Sequence, residues 1–243
     1  CSRHQGRMTM PRDAEALRIF VPEAIRAIFE RLAARLEATA GRALAPVFDL
    51  NPAIPERIRA GEAYDIGLTN PPYVDALVAA GRADGASMRP FGRIPLAIGR
   101  RAGVVAPVLT DAAGIAALLR SAESIAYTGE GTSGRTYLDA MARLGLSEAV
   151  APKGRPMGAG GPVASVAAGE TELAVGPLTT IRASPGVVPA AIFPAAAGAQ
   201  IDIAVFLSMS CAAGAADVLN VLAGAELDAE LADAGVMRLD PCP

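Results

Sequence analysis

A strand, a glycine-rich turn and a helix follow one another between residues 124 and 145, in the sequence SIAYTGEGTSGRTYLDAMARLG. Small residues in this turn let a ligand approach the backbone, and the hydroxyls of Thr132 and Ser133 can donate hydrogen bonds. The first N–H groups of a helix have no partner inside the helix, and the helix dipole attracts an anion to that end. The pattern therefore predicts either an anion-binding turn or an ordinary strand-to-helix loop with a serine cap.

Three further turns share this design, so that two lie in each half of the chain. The four turns are Val21-Pro22-Glu23, Leu50-Asn51-Pro52-Ala53, Gly131-Thr132-Ser133-Gly134 and Ala159-Gly160-Gly161-Pro162. Each lies between a predicted strand and a predicted helix. Several helix starts that converge on one point form an anion site without needing a lysine. Together the turns indicate a ligand cleft between two lobes.

Composition restricts the possible functions. Apolar residues make up 52% of the 243 residues, which is ample for a core, and no apolar run is long enough to span a membrane. The formal charge is −3 and the arginines are scattered, which argues against nucleic acid or a membrane surface as the main partner. The chain has one histidine, His4, and three cysteines without zinc or redox spacing. This argues against a metal site built on His and Cys, a Ser-His-Asp triad and a Cys-His dyad.

The cysteines leave two questions open. Cys211 and Cys242 can pair in an oxidising compartment or remain thiols. A chain that opens at Cys1 is what a processed lipoprotein looks like, with about fifteen polar residues as a tether, although a trimmed chain would look the same. We expect a tail at residues 1–16 and a periplasmic or otherwise extracytoplasmic protein, with membrane contact only through lipidation of Cys1.

Strands and helices alternate along the chain. Predicted strands at residues 17–21, 43–50 and 65–69 are each followed by a helix, which indicates a parallel sheet flanked by helices. A strand at residues 94–99 has no helix directly behind it. Further strands are expected at residues 187–193 and 201–208, with helices at residues 212–223 and 227–234 at the end of the chain.

In the order and spacing of its segments the chain resembles the type II periplasmic solute-binding proteins of ABC transporters, in the molybdate-binding-protein-like branch. The segments that carry the resemblance are LRIFVPEAIRAIFERLAARLEATAG, FDLNPAIPERIRAGEAYDIGLTNPPYVDALVAAG, IAYTGEGTSGRTYLDAMARLG and GETELAVGPLTTI. The resemblance covers nearly the whole chain from Leu17 to Gly235.

The resemblance implies a two-lobed α/β fold with mixed, mostly parallel sheets, helices on both faces and two crossover strands. One lobe would comprise residues 17–95 and 204–243, and the other residues 96–203. A ligand would lie in the cleft, which closes about the hinge. No cofactor and no metal are expected.

The resemblance also assigns positions to the site. The turn at residues 22–24 matches the first oxyanion-contacting loop, residues 51–52 a second serine-rich loop, and residues 132–134 and 160–161 the contacts from the far lobe. Asp202 lies near a position where the molybdate binders carry a tyrosine. From the turns and the resemblance, the expected ligand-binding residues are Pro22, Glu23, Asn51, Pro52, Thr69, Asn70, Thr128, Thr132, Ser133, Gly134, Arg135, Gly160, Gly161 and Pro177.

Two departures from the molybdate binders bear on the ligand. Proline and asparagine replace the serines that hold a tetrahedral oxyanion. Four carboxylates are expected near the cleft: Glu23, Asp49, Glu130 and Asp202. A dianion would be repelled by them unless they were protonated or paired, so we expect a small organic acid or another polar solute. Arg57 and Arg135 can either pair with a ligand carboxylate or lie on a solvated helix surface.

We therefore expect a solute-binding protein that captures a small anionic or polar ligand and presents it to an ABC transporter permease or a membrane receptor. The alternative is an isomerase resembling the aconitate isomerases, which move a proton and a double bond within a tricarboxylate. In that case Glu130 is the candidate base, with Tyr127 or Ser133 as a proton relay.

Overall fold

The computed structural model describes residues 16–103 and 106–239 of the chain. The expectations for Cys1, His4 and Cys242, and for all of the tail except Ala16, fall outside these residues. Cys211 is a half-buried free thiol within the described ranges. Its pairing with Cys242 stays a prediction.

The first three strands lie side by side and parallel, as their alternation with helices predicts. β1 (Leu17–Pro22) lies between β2 (Leu44–Asp49) and β3 (Ile66–Thr69). The helices between and after them are α1 (Arg26–Ala40), α2 (Ala53–Arg59) and α3 (Pro71–Ala79), with one 3-10 turn before α1. The apolar residues of α1 recur at helical spacing and are buried, and the helix ends at Gly41, whose φ of 66° favours glycine.

A long strand, β4 (Asp84–Arg101), follows α3 and is ten residues longer at its start than the predicted strand at residues 94–99. Its first part contains Gly85, Pro90 and two arginines and shows no apolar alternation, which is why sequence periodicity misses it. Two register shifts also interrupt its pairing with β9 (Gln200–Leu207). β4 pairs with β9 as far as Pro95, and from Leu96 onward it pairs with other strands.

The middle of the chain forms the second lobe. Its strands are β5 (Ile125–Thr128), β6 (Gly154–Met157), β7 (Leu173–Pro177) and β8 (Val187–Ile192). Its helices are α4 (Ala112–Ser121), α5 (Thr132–Arg143), α6 (Ser147–Val150), α7 (Gly161–Ala168) and α8 (Leu178–Ala183). β5 is parallel to both β6 and β7, whereas β7 and β8 are antiparallel to the second part of β4.

The chain then returns along β9 to the first lobe, where α9 (Ala215–Ala223) and α10 (Asp228–Ala234) complete the described part. The strand order is β2-β1-β3-β9-β4-β7-β5-β6, with β8 also on β4. Every described pair that involves β4 or β9 is antiparallel, so the sheet is mixed. β4 and β9 are the two strands that cross between the lobes and join them. The lobe boundaries at residues 95/96 and 203/204 stay predictions.

The largest hydrophobic cluster runs through both lobes, from Leu17 and Phe29 to Ile125 and Tyr137. A smaller cluster packs α2 and α3 against the sheet, and another packs α7 and α8 against β4 and β7. No helix among the described residues is both long and apolar enough to cross a membrane.

Candidate functional site

A cavity of about 110 Å³ lies between the two lobes, where β1, β2, β5 and β7 end. Parallel strands place their carboxyl ends at one edge of a sheet, and the helices that follow begin at that edge. Here the edges of the two lobes face each other across the cavity. The wall therefore consists mainly of strand ends and helix starts.

Eight of the expected ligand-binding residues line this cavity. They are Pro22, Glu23, Asn51, Thr128, Thr132, Ser133, Gly160 and Pro177. The other expected residues do not line it: Pro52, Thr69, Asn70, Gly134, Arg135 and Gly161. Thr69, Asn70 and Gly134 instead contact residues of the wall from behind, as described below.

The remaining lining residues are not among the expected ligand-binding residues, although Ala24, Leu50, Ala159 and Pro162 belong to the predicted turns. The remaining residues are Ala24, Leu50, Ala159, Pro162, Val163, Val175, Gly176, Thr180 and Ile201. Most of them are apolar, and in a sequence an apolar residue beside a strand end looks the same whether it faces a core or a cavity. Val175, Gly176 and Thr180 lie in the segment GETELAVGPLTTI, which carries the family resemblance. Membership of that segment is the sequence signal that could have identified them.

The turn at Pro22 contributes a carboxylate whose charge is balanced. Both oxygens of Glu23 accept hydrogen bonds from Arg26, from Nε at 2.8 Å and from Nη2 at 2.6 Å. The Arg26 guanidinium also stacks on the Phe48 ring, 3.9 Å from its centroid. The hydrogen bond to Glu23 raises the pKa of Arg26 above its ordinary value. Glu23 therefore does not present an uncompensated negative charge to a ligand.

The other carboxylates expected to repel a dianion are also paired or lie outside the cavity. Asp49 accepts a hydrogen bond from Arg57 at 3.0 Å. Asp202 on β9 forms a two-point ion pair with Arg93 on β4, at 2.6 and 2.8 Å. Glu130 is exposed and is not part of the wall. The repulsion that motivated the organic-acid expectation is therefore absent from this arrangement.

The two arginines considered as ligand partners are used within the protein. Arg57 donates hydrogen bonds to Glu62 from two nitrogens, at 2.7 and 2.8 Å, and these bonds raise the pKa of Arg57 more than the bond that it donates to Asp49. Arg135 donates to the Tyr73 hydroxyl at 2.6 Å. Neither arginine lines the cavity.

Asn51 is a buried polar residue in the wall, with 6% of its surface exposed. The hydroxyl of Thr69, which is fully buried, lies 3.2 Å from Asn51 Oδ1 and 3.3 Å from the Asn51 carbonyl oxygen. Because Oδ1 of Asn51 accepts a hydrogen bond from Thr69, Nδ2 is the amide group that remains unused. Nδ2 has no hydrogen-bond partner in the described part of the chain, so Asn51 offers the cavity a donor.

The N-terminus of α5 contributes Thr132 and Ser133 to the wall. Gly134, one residue further, allows the helix to lie directly on the end of β5, because a Cβ atom at this position would lie 1.8 Å from the carbonyl oxygen of Thr128. The hydroxyls of Ser133, Thr128 and Thr180 have no hydrogen-bond partner among the described residues. They are therefore available to a ligand.

Direct hydrogen bonds join the two lobes beside the cavity. Thr132 donates to Asn70 Oδ1 at 2.9 Å, and Asn70 Nδ2 donates to the Asp202 carbonyl oxygen at 2.7 Å. At another contact the Thr179 hydroxyl donates to the carbonyl oxygen of Ala24. The Thr132–Asn70 and Thr179–Ala24 bonds describe a closed cleft, because both would break if the lobes moved apart.

The candidate residues for isomerase chemistry do not meet in the cavity. Glu130 is exposed, and the ring of Tyr127 packs against Tyr137 with 5.4 Å between centroids. Only Ser133 of the three candidates lines the wall. No group of three or more His, Cys, Asp or Glu side chains among residues 16–103 and 106–239 could hold a metal ion.

Comparison with known proteins places this geometry in a family. The family model described as "bacterial extracellular solute-binding protein" matches residues 17–236. No curated protein sequence matches the chain significantly. The matches to solved structures that follow share less than 25% sequence identity with the chain and show similarity of fold alone.

Three solved structures illustrate that similarity. The periplasmic molybdate-binding protein of Azotobacter vinelandii has a TM-score of 0.77 at 18% identity, covering 92% of this chain and 100% of its own. A periplasmic thiamin-binding protein has a TM-score of 0.67 at 13% identity, covering 94% and 85%. Iron-bound HitA from Pseudomonas aeruginosa has a TM-score of 0.65 at 12% identity, covering 94% and 89%. The expected two-lobed α/β fold is confirmed.

Proposed function

The chain belongs to the bacterial extracellular solute-binding proteins, and we propose that it captures a small anionic solute between its lobes for delivery to an ABC transporter. The observation that carries this proposal is the cavity between strand ends and helix starts of both lobes. Delivery would take place outside the cytoplasm, at a permease or another membrane receptor that binds the closed form.

Donor groups support an anionic solute. Asn51, Ser133, Thr128 and Thr180 line the cavity, and Asn51 Nδ2 and the three hydroxyls have no partners among the described residues. The N-termini of α5 and α7 also meet the wall at Ser133 and Gly160, and a helix N-terminus favours negative charge. An anion would satisfy these donors, whereas a cation would meet no uncompensated carboxylate, since Glu23 is paired with Arg26.

We propose an organic acid rather than molybdate as the solute. Repulsion by carboxylates does not support this choice, because Glu23, Asp49 and Asp202 are each paired with an arginine. The apolar part of the cavity wall supports it instead. This part includes Leu50, Val163, Val175 and Ile201. An apolar wall suits a solute that carries carbon as well as charge.

The isomerase alternative has no observation in its favour. Its candidate base, Glu130, and the candidate relay Tyr127 both lie outside the cavity wall. Incubation with trans-aconitate, followed by NMR, tests the alternative directly. We expect no interconversion of isomers, and turnover would establish an enzyme.

The experiment for the proposed function is native mass spectrometry of the gently purified protein, followed by calorimetry with the solute so identified. Ser133→Ala, which removes an unpaired hydroxyl from the wall, should weaken binding about fivefold, since a hydrogen bond contributes about 1 kcal/mol. Ser147→Ala, at an exposed serine outside the cavity, is the matched control. If Ser133→Ala, Ser147→Ala and further variants of cavity residues all bound the solute with the same affinity, the assignment of the site to this cavity would be wrong.

A further inference from the structure

We propose that the solute is a short-chain monocarboxylate, whose carboxylate binds the unpaired donors while its aliphatic part packs on the apolar wall. This inference rests on the proposed function of the cavity and names the class of solute. Three observations carry it: the volume of the cavity between the lobes, the composition of its wall and its balance of charge.

The volume limits the size of the solute. A cavity of about 150 Å³ holds benzene, with its six carbons, so a cavity of about 110 Å³ accommodates roughly four to five non-hydrogen atoms by the same scale. Acetate and propionate fall in this range. A tricarboxylate is more than twice as large and exceeds this volume.

Hydrogen bonds between the lobes hold the two sides of the cavity at this spacing. The hydrogen bonds from Thr132 to Asn70 and from Thr179 to Ala24 join opposite sides of the cleft. A third bond links Arg135 to Tyr73. These bonds set the spacing of the two lobes, so a solute wider than the cavity can bind only if they are given up.

The wall distinguishes a carboxylate from a tetrahedral oxyanion of similar size. Leu50, Val163, Val175 and Ile201 come from both lobes and from the crossing strand β9. A tetrahedral oxyanion presents oxygen in every direction, and any oxygen against these side chains would lose water without gaining a hydrogen bond. A monocarboxylate has oxygen at one end only and carbon at the other.

The charge of the wall favours a single negative charge. Glu23 is the one charged side chain among the described lining residues, and Arg26 binds both of its oxygens. The cost of removing an ion from water grows with the square of its charge, so a dianion costs about four times as much as a monoanion of equal size. The two oxygens of a carboxylate accept about four hydrogen bonds. Four unpaired side-chain donors are present, on Asn51, Thr128, Ser133 and Thr180.

The test is a chain-length series measured by calorimetry on the full chain: acetate, propionate, butyrate, sulfate, molybdate and trans-aconitate. We expect affinity to rise about fourfold from acetate to propionate, as one methylene group becomes buried, and then to fall at butyrate. Sulfate, molybdate and trans-aconitate should bind at least tenfold more weakly than propionate.

A variant that enlarges the cavity provides a second measurement. Val163→Ala removes two carbons from the wall and should move the preferred chain length from propionate to butyrate. Val166→Ala is the matched control, because Val166 lies on the same helix but is fully buried in the α7–α8 cluster. The control should keep the preference for propionate.

The outcomes separate this inference from the proposed function. Tightest binding of molybdate or sulfate, weakened by Ser133→Ala, would overturn the monocarboxylate and leave a solute-binding cleft. An unchanged chain-length preference in Val163→Ala would likewise overturn the aliphatic packing. If none of the anions binds and no solute co-purifies, both the inference and the proposed function are wrong.

Discussion

The side-chain hydroxyl of Thr132 donates a 2.9 Å hydrogen bond to Oδ1 of Asn70, which joins the start of α5 to the start of α3. The two residues are 62 positions apart in the chain and belong to different lobes. The sequence suggests both as ligand contacts, whereas in the closed structure they bind each other. Asn70 is held in place because its Nδ2 donates to β9.

This bond leads to a prediction about closure. Thr132→Val keeps the shape of the side chain but removes the donor, so we expect solute affinity to fall about fivefold, which corresponds to about 1 kcal/mol. The free energy of unfolding of the solute-free protein should change little. Calorimetry and urea unfolding measure the two quantities.

Thr136→Val, one turn further along α5 and outside the wall, is the control for that variant. A double-mutant cycle with Asn70→Ala separates the bond between lobes from any direct contact of Thr132 with the solute. Additive effects of the two substitutions on affinity would show that the bond does not assist closure.

The orientation of Asn51 gives a second prediction. Thr69→Val removes the hydroxyl beside Asn51 Oδ1 and should lower affinity for an anion at least fivefold, because the amide can then turn its oxygen toward the cavity. Thr69→Ser keeps the hydroxyl and should retain most of the affinity. Calorimetry with the identified solute compares the two variants, and equal losses in both would point to packing rather than to the hydrogen bond.

A third prediction concerns the close approach of α5 to β5. In Gly134→Ala the new methyl group would overlap the Thr128 carbonyl oxygen, so the helix must move away from the strand end. We expect a loss of about 2–4 kcal/mol in the free energy of unfolding, together with weaker binding. Gly158→Ala, where the added carbon meets no atom within 4 Å, should change stability by less than about 0.5 kcal/mol. Urea unfolding of both variants tests this, and similar stabilities would contradict the packing argument.

A fourth prediction concerns acid stability. The hydrogen bond from Arg57 to Glu62 holds the pKa of that carboxyl below its ordinary value of 4.5, against the opposing effect of burial, and Arg18 adds to the lowering. A lowered pKa in the folded protein means that stability is present above pH 4.5 and is lost as the pH falls through the folded value.

Glu62→Gln should therefore cost less than about 1 kcal/mol at pH 7, because the group is partly exposed, and should flatten the decline of stability below pH 4.5. Glu148→Gln, at an exposed glutamate of α6 that takes part in none of the described ion pairs, is the control. Chemical unfolding at a series of pH values measures the effect. An acid limb of the same slope in Glu62→Gln and in the unsubstituted protein would refute the assignment.

Local patterns were enough to predict the family and most of the elements, although they missed the first ten residues of β4. Helical spacing of apolar residues and a stop at Gly41 define α1, and the turns at Pro22, Asn51 and Ser133 were placed at strand ends from residue types alone. These signals are contained within a few neighbouring residues, so they survive without knowledge of the rest of the chain. The order of such units along the chain also indicated the two-lobed fold, which the structural comparisons confirm.

Tertiary structure alone decided how the charges and the apolar residues of the site are used. A sequence shows that Glu23, Asp49 and Asp202 carry charge, but it does not show their arginine partners, which depend on side-chain reach. The pairing of Asp202 with Arg93 also depends on the register between β4 and β9, since the two residues are 109 positions apart in the chain. Leu50 and Val163 look like core residues in the sequence, because apolarity does not reveal which space a side chain faces. The sequence by itself therefore determined that strand ends and helix starts would meet at a cleft. The packing of one lobe against the other decided which atoms remain free for a solute, because contacts between distant segments exist only once the chain has folded.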